Sequence, residues 1–261
     1  MITVTSGELN AWLGFFLWPF TRILALIASA PVSSNPQFPV IAKVGLAIFI
    51  TIVLAPTLPA VVSPDPGSAA GVMLLIRETT LGLAMGFSMR LVFFAVNMAG
   101  DIMGLQMGLG FAQFYDPQTS AQVPVIGQFV GLLATLAFLA LNGHLMLIGT
   151  LAESFRGIPP AHLGAMSDTW IMLARWGGIV IQAAVLLSLP VVAALLITNT
   201  ALGVLSRAAP QLNIFAIGFP ITLTVGFIAL LLALPYLLPH FEKLFDQGLQ
   251  TALRAAALPA R

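Results

Sequence analysis

VPVIGQFVGLLATLAFLALNGHLMLIGTL, residues 123–151, is a run of 29 residues without one Asp, Glu, Lys or Arg. A helix needs about twenty apolar residues to cross a hydrocarbon layer of roughly 30 Å. The run is too long for a soluble core helix and long enough to span. Ile214–Leu238 adds 25 more residues of the same kind. Trp12–Ala30, Ile41–Val62, Gly71–Ala99 and Trp170–Leu205 bring the number of such segments to six. In lipid a backbone must satisfy its own N–H and C=O groups, which leaves helices or closed barrels. Unbroken apolar runs without strict alternation exclude the barrel. The expected fold class is an all-α integral membrane protein. It has about six long apolar helices, several kinked or half-spanning, and an amphipathic C-terminal helix.

Composition agrees. Apolar residues make up 59% of the chain and charged residues 7%, against about 45–50% and about 25% in soluble domains. A net charge of +1 leaves no basic face for nucleic acid. With no cysteine there is neither a disulfide framework nor thiolate chemistry. His144, His162 and His240 lack metal-ligand spacing. No paired carboxylates, Ser-His-Asp arrangement, zinc-protease helix or phosphate loop is evident, so no catalytic residue, metal or cofactor is expected. Residues 1–10 lack a positive stretch and carry Glu8, so the first span is expected to act as its own insertion signal.

Two features depart from plain spanning helices. Pro56, Pro59, Pro190, Pro220 and Pro235 lie in or at the ends of apolar runs, where each removes an N–H and kinks or ends a helix. Arg22, Lys43, Arg77, Glu78, Arg90 and Arg175 lie inside the runs, each costing about 2.5–3.5 kcal/mol near a helix centre. Such faces are expected to meet protein rather than lipid. Arg90 and Asp101, about three turns apart, share a face if their helix is continuous. Gly82-x-x-x-Gly86 and Gly127-x-x-x-Gly131 permit close helix approach. From His240 onward, Phe241, Leu244, Phe245, Leu249 and Leu253 recur at helical steps between charged residues. They read as an amphipathic helix at an interface or a surface helix ending the fold. The positive-inside count, with Lys243, Arg254 and Arg261, favours a cytoplasmic tail.

The connector Gly100–Gln122 carries the strongest functional signal. It has no Lys or Arg and is rich in glycine, methionine and aromatics. An irregular apolar loop at membrane depth is viable only against protein or lining a cavity. It reads as a constriction that closes a pore by bulk and dewetting, or as a packed re-entrant loop. The stretch from Ser206 to Phe215 reads as a polar turn, with Pro210 ending a helix and Gln211 and Asn213 supplying donors and acceptors.

At these residues the chain resembles the FliR family, the R subunit of the flagellar type III export gate. Pro19-Phe-Thr-Arg22 through Pro31 and Leu54-Ala-Pro-Thr-Leu-Pro59 carry the first part of the likeness. Gln106-Met-Gly-Leu-Gly-Phe111-Ala through Asp116-Pro117 follows, then Leu141-Asn-Gly-His144-Leu with Ser154-Phe-Arg156 and Pro159. Arg207-Ala-Ala-Pro-Gln-Leu-Asn-Ile-Phe215 with Gly218 and Pro220 is the most diagnostic stretch. Injectisome T subunits are similar in plan, but the Asn142 and Phe111 stretches look more flagellar.

The resemblance implies a channel formed with P and Q subunits, five P and four Q to one R, at the flagellar basal body in the bacterial inner membrane. Unfolded flagellar subunits pass through it, served by other export-gate proteins and an ATPase and energised by the proton motive force. It implies a P-like half at residues 1–165, a Q-like half at 166–239 and a tail at 240–261. The family's plug then falls on Met107, Gly108, Gly110, Phe111, Phe114, Tyr115, Asp116 and Pro117. Inter-subunit or intramembrane polar contacts are expected at Arg22, Arg77, Glu78, Arg90, Asp101, Arg207, Gln211 and Asn213. A small secondary transporter with broken helices is the rival class, but the prolines do not pair between halves and no acidic residue sits central in a span. A purely structural scaffold is the third.

Overall fold

The computed structural model describes residues 6–34, 37–58, 64–110, 124–157, 167–211 and 214–257. Among them every long element is a helix: α1 (Ser6–Ser29), α2 (Val40–Leu54), α3 (Ala69–Gln106), α4 (Val125–Ala140), α5 (Gly143–Gly157), α6 (Ser167–Ala208) and α7 (Ile214–Ala257). Five of these are long and apolar enough to cross a membrane; α4 and α5, taken as one broken span, make six.

The break within residues 123–151 falls at Leu141–Asn142. Asn142 takes a left-handed φ of 57°, which Asn tolerates better than most residues. The amides of Leu145 and Met146 both donate to the Asn142 carbonyl, so α5 restarts at once. The sequence reads as one span; the structure turns it into two shorter helices.

The prolines behave differently from one another. Pro56 lies in a 3-10 turn, Ala55–Thr57, that follows α2. Pro190 lies inside α6, and Pro220, Pro235 and Pro239 inside α7, without ending either helix. Pro59 lies outside the described residues. The turn 64–68 forms as its composition predicts: Gly67 N–H donates to Asp65 Oδ1 at 2.9 Å. Ser68 then caps α3, its Oγ accepting from Gly71 N–H at 3.1 Å.

Hydroxyls inside the apolar helices are satisfied locally. Thr51, Thr79, Thr135 and Thr198 each donate to the carbonyl four residues back, at 2.6–2.9 Å. This back-bonding lets a polar side chain live where no water is present. Three helices outreach a bilayer. At 1.5 Å per residue α3, α6 and α7 run ~57, ~63 and ~66 Å, about twice the ~30 Å hydrocarbon core.

The chain divides into two compact units, each assembled from separated segments. The first comprises residues 1–92, 142–177 and 245–261; the second comprises 93–141 and 178–244. Helices α3, α6 and α7 contribute to both.

The C-terminal stretch is the end of α7 rather than a separate helix. It is amphipathic as read: Phe241, Leu244, Phe245 and Leu249 are buried, while Glu242, Lys243, Asp246 and Arg254 are exposed. In the first unit, Gly248 abuts Met89 and Val92. Thr169 Oγ1 donates to Ala255 O at 3.3 Å, and Ala255 is buried with Ala84 and Leu173. From Phe245 onward the apolar side of this stretch is part of the first unit's core.

Candidate gating segment and intramembrane polar cluster

The charges expected inside the apolar runs meet in the first unit. Glu78 and Gly82 lie four residues apart on one face of α3. A Cβ at Gly82 would strike the Arg22 carbonyl oxygen and stand 2.7 Å from Ala25 Cβ. Glycine there lets α1 come in close enough for the Arg22 side chain to reach Glu78. Nε donates to Oε2 at 2.7 Å and Nη2 to Oε1 at 3.0 Å, a two-pronged pairing matched to the planar guanidinium. Nη1 donates to Ser154 Oγ of α5 at 3.1 Å. The guanidinium carbon lies 4.2 Å from the centre of the Phe155 ring, a cation–π contact. Arg22, Glu78, Ser154 and Phe155 are all completely enclosed. Three helices are joined through one arginine. Arg77, the next residue on α3, is 8% exposed.

Gly86 continues the same face, where a Cβ would meet Ser29. The first small-residue motif thus marks a real α1–α3 crossing.

The second motif marks an α3–α4 crossing in the second unit. A Cβ at Gly100 would stand 2.6 Å from Gly127 Cα. Side chains at Gly127 and Gly131 would collide with Asp101 and Asn97 respectively. Asn97 Nδ2 donates to Phe93 O at 2.9 Å, and Phe93 meets Phe138 edge-on at 5.6 Å. Asp101 Oδ1 is buried with no hydrogen-bond partner among the described residues. This packing explains why the glycine-rich stretch after Gly100 continues as helix to Gln106. Gly100 and Gly104 give α4 room, so the helix gains contact where glycine alone would weaken it.

Beyond Gln106 the chain turns. Met107 is completely buried, and Gly108 has a φ of 88°, a backbone state that glycine adopts without strain. Thr222 of α7 donates its hydroxyl to the Met107 carbonyl at 3.1 Å. One turn on, Gly226 faces the Met107 side chain: a Cβ there would stand 2.5 Å from Cγ and 2.8 Å from Cε. The stem of the glycine-rich segment is therefore seated on α7 in the second unit.

Of the segment expected to plug a pore, Met107, Gly108 and Gly110 fall within this stem. Phe111, Phe114, Tyr115, Asp116 and Pro117 lie outside the described residues, as does Asn213. Arg90 is exposed on α3, which runs unbroken past Asp101. Arg207 is exposed in the last turn of α6, where a cation suits the helix's negative end. Gln211 is exposed in the turn that follows, behind Pro210. Sequence reasoning assigned no role to Ser154, Phe155, Thr222 or Gly226. Ser154 and Phe155 sit in a motif that carried the family likeness; Thr222 and Gly226 offer no local signal.

A family profile described as "Bacterial export proteins, family 1" matches residues 13–248. The match covers both the Arg22 cluster and the Met107 seat. The chain belongs to this export-protein family. It is 44% identical to the flagellar biosynthetic protein FliR of Pectobacterium carotovorum, over 95% of this chain and 94% of that protein. It is 42% identical to FliR of Escherichia coli over the same shares. FliR of Bacillus subtilis is 30% identical over 93% of this chain and 95% of its own length. The resemblance read from the five motifs is thereby established, and with it a membrane protein of the FliR export type.

Proposed function

We propose that this chain is the R subunit of the flagellar protein export gate. It forms a channel with P and Q subunits in the bacterial inner membrane, at the base of the flagellum. Unfolded flagellar proteins are its cargo. Residues 106–117 close the lumen between export events, with Phe111 and Phe114 as bulk. The role is mechanical rather than catalytic.

One observation carries the plug reading: Met107 is locked onto α7 by the Thr222 hydroxyl and the Gly226 notch. A segment that must block a passage and then be displaced needs a fixed root, and this is one. Family membership supports export over the transporter reading, and the identities to flagellar FliR proteins support the flagellar over the injectisome assignment. Helices far longer than a bilayer is thick support a body enclosed by other subunits. For the division at 1–165, 166–239 and 240–261, the support is that α6 begins at Ser167, next to the first boundary; α7 runs unbroken across the second, so the tail is set apart by its charged, amphipathic character alone.

The test is a leak measurement. Phe111→Ala combined with Phe114→Ala removes the bulk that excludes water. Cells or vesicles carrying the double variant in assembled gates should pass ions and small solutes at rest. Membranes as tight as those with the wild-type chain would sink the plug reading.

A further inference from the structure

The Arg22 cluster contains two cations and one anion. Glu78 gives both carboxylate oxygens to Arg22. Arg77, beside Glu78 on α3, makes no hydrogen bond to Glu78 or Arg22. Its Nη1 is buried with no hydrogen-bond partner among the described residues. The residue as a whole is only 8% exposed, and its guanidinium cannot shed its proton. A buried charge with no counter-ion is strongly destabilising. Among the described residues the site is one negative charge short of neutrality.

The surroundings narrow what can supply that charge. On α3, Met73 lies one turn before Arg77 and Ile76 beside it; they are 61% and 60% exposed. The patch around the guanidinium is therefore apolar, on a helix that passes as a membrane span. What lies against it must be apolar and carry a single acidic group. A helix is the backbone form that meets this requirement in hydrocarbon. A carboxylate on a side chain fits the narrow opening left at Arg77 and matches the guanidinium fork. A phospholipid phosphate brings a bulky headgroup to an opening that shows little of the arginine.

We propose that Arg77 is an assembly anchor that receives an Asp or Glu side chain from an apolar helix of a neighbouring gate subunit. The inference rests on the reading of this chain as one subunit of a multi-subunit gate. The arginine is held ready by the Arg22–Glu78 pair, which occupies the one carboxylate among the described residues that would otherwise neutralise it. Assembly then completes a four-membered charge cluster.

Two measurements test this. A photo-crosslinking residue placed at Ile76, with Arg77 intact, should capture a polypeptide of the gate in membranes. Capture of phospholipid alone would overturn the proposal. Separately, Arg77→Met removes the unneutralised charge. The purified full-length variant should melt at the same temperature as wild type or higher, while its recovery with neighbouring subunits falls at least about tenfold, since breaking one side of a buried charge pair across an interface has that scale of effect. Arg77→Lys should restore part of the recovery. A role confined to holding this chain together would instead lower the melting temperature, and unchanged recovery would equally refute the anchor. Failure of the wild-type chain to recover any partner would count against the gate reading itself, a distinct result.

Discussion

Helix α3 makes two close crossings built on the same small-residue spacing and finishes them in opposite ways. Against α1 in the first unit, Gly82 and Gly86 bring the backbones together, and a bidentate ion pair spans the gap they create. Against α4 in the second unit, Gly100 and Gly127 likewise bring the backbones together, and no ion pair forms among the described residues there. Asn97 turns back to its own helix, and Asp101 leaves an oxygen unused. Glycine spacing sets how near two membrane helices come; it does not decide what joins them. That depends on whether a cation on the partner helix lies within one turn of an acid. Arg22 meets this condition on α1, and α4 carries no charged residue.

Three substitutions probe the difference, beginning with the greatest effect. Glu78→Gln strands two arginines in an apolar interior, and breaking a buried pair from one side costs about 3–5 kcal/mol. The expected result is a chain that no longer accumulates in membranes, read by its steady-state level and by thermal melting in detergent. Wild-type accumulation would mean that the ion pair does not hold the first unit together. Gly127→Ala tests the uncharged crossing. Its Cβ would meet the Asp101 carboxylate and stand 2.9 Å from Asn97 O, so α3 and α4 must part, at about 2 kcal/mol for an overpacked site. A melt within error of wild type would show that α4 yields freely. Ser154→Ala is the mildest. Arg22 loses its 3.1 Å bond to α5 but keeps Glu78 and the Phe155 ring, a loss of about 1.5 kcal/mol for a hydrogen bond to a charged group. An effect as large as that of Glu78→Gln would make the hydroxyl, not the carboxylate, the main partner.

Much of this was legible in the chain. Of the in-run charges, Arg22, Arg77 and Glu78 are buried, and both glycine motifs mark close crossings. Which charges pair was not legible. Arg22 and Glu78 are 56 residues apart, and helical periodicity carries no information about a partner on another helix. The break in residues 123–151 had a local cause in the Asn142-Gly143 dipeptide, a turn signal, but the surrounding apolar run concealed it. Pro190 and Pro220 read as kinking or ending a helix; α6 and α7 continue as helix through them. The seat of Met107 on Thr222 and Gly226 was invisible, because 115 residues separate the two sides and neither half is unusual alone.

The burial of Gly248, Leu249, Ala252 and Ala255 has a consequence for biosynthesis. Residues 245–257 complete the first unit, whose other segments, 1–92 and 142–177, are made before the 67 residues 178–244 of the second unit. That unit stands unfinished while almost the whole polypeptide is being threaded into the bilayer, and it closes only when these last turns leave the ribosome. Its maturation is thus timed to follow insertion of every preceding span.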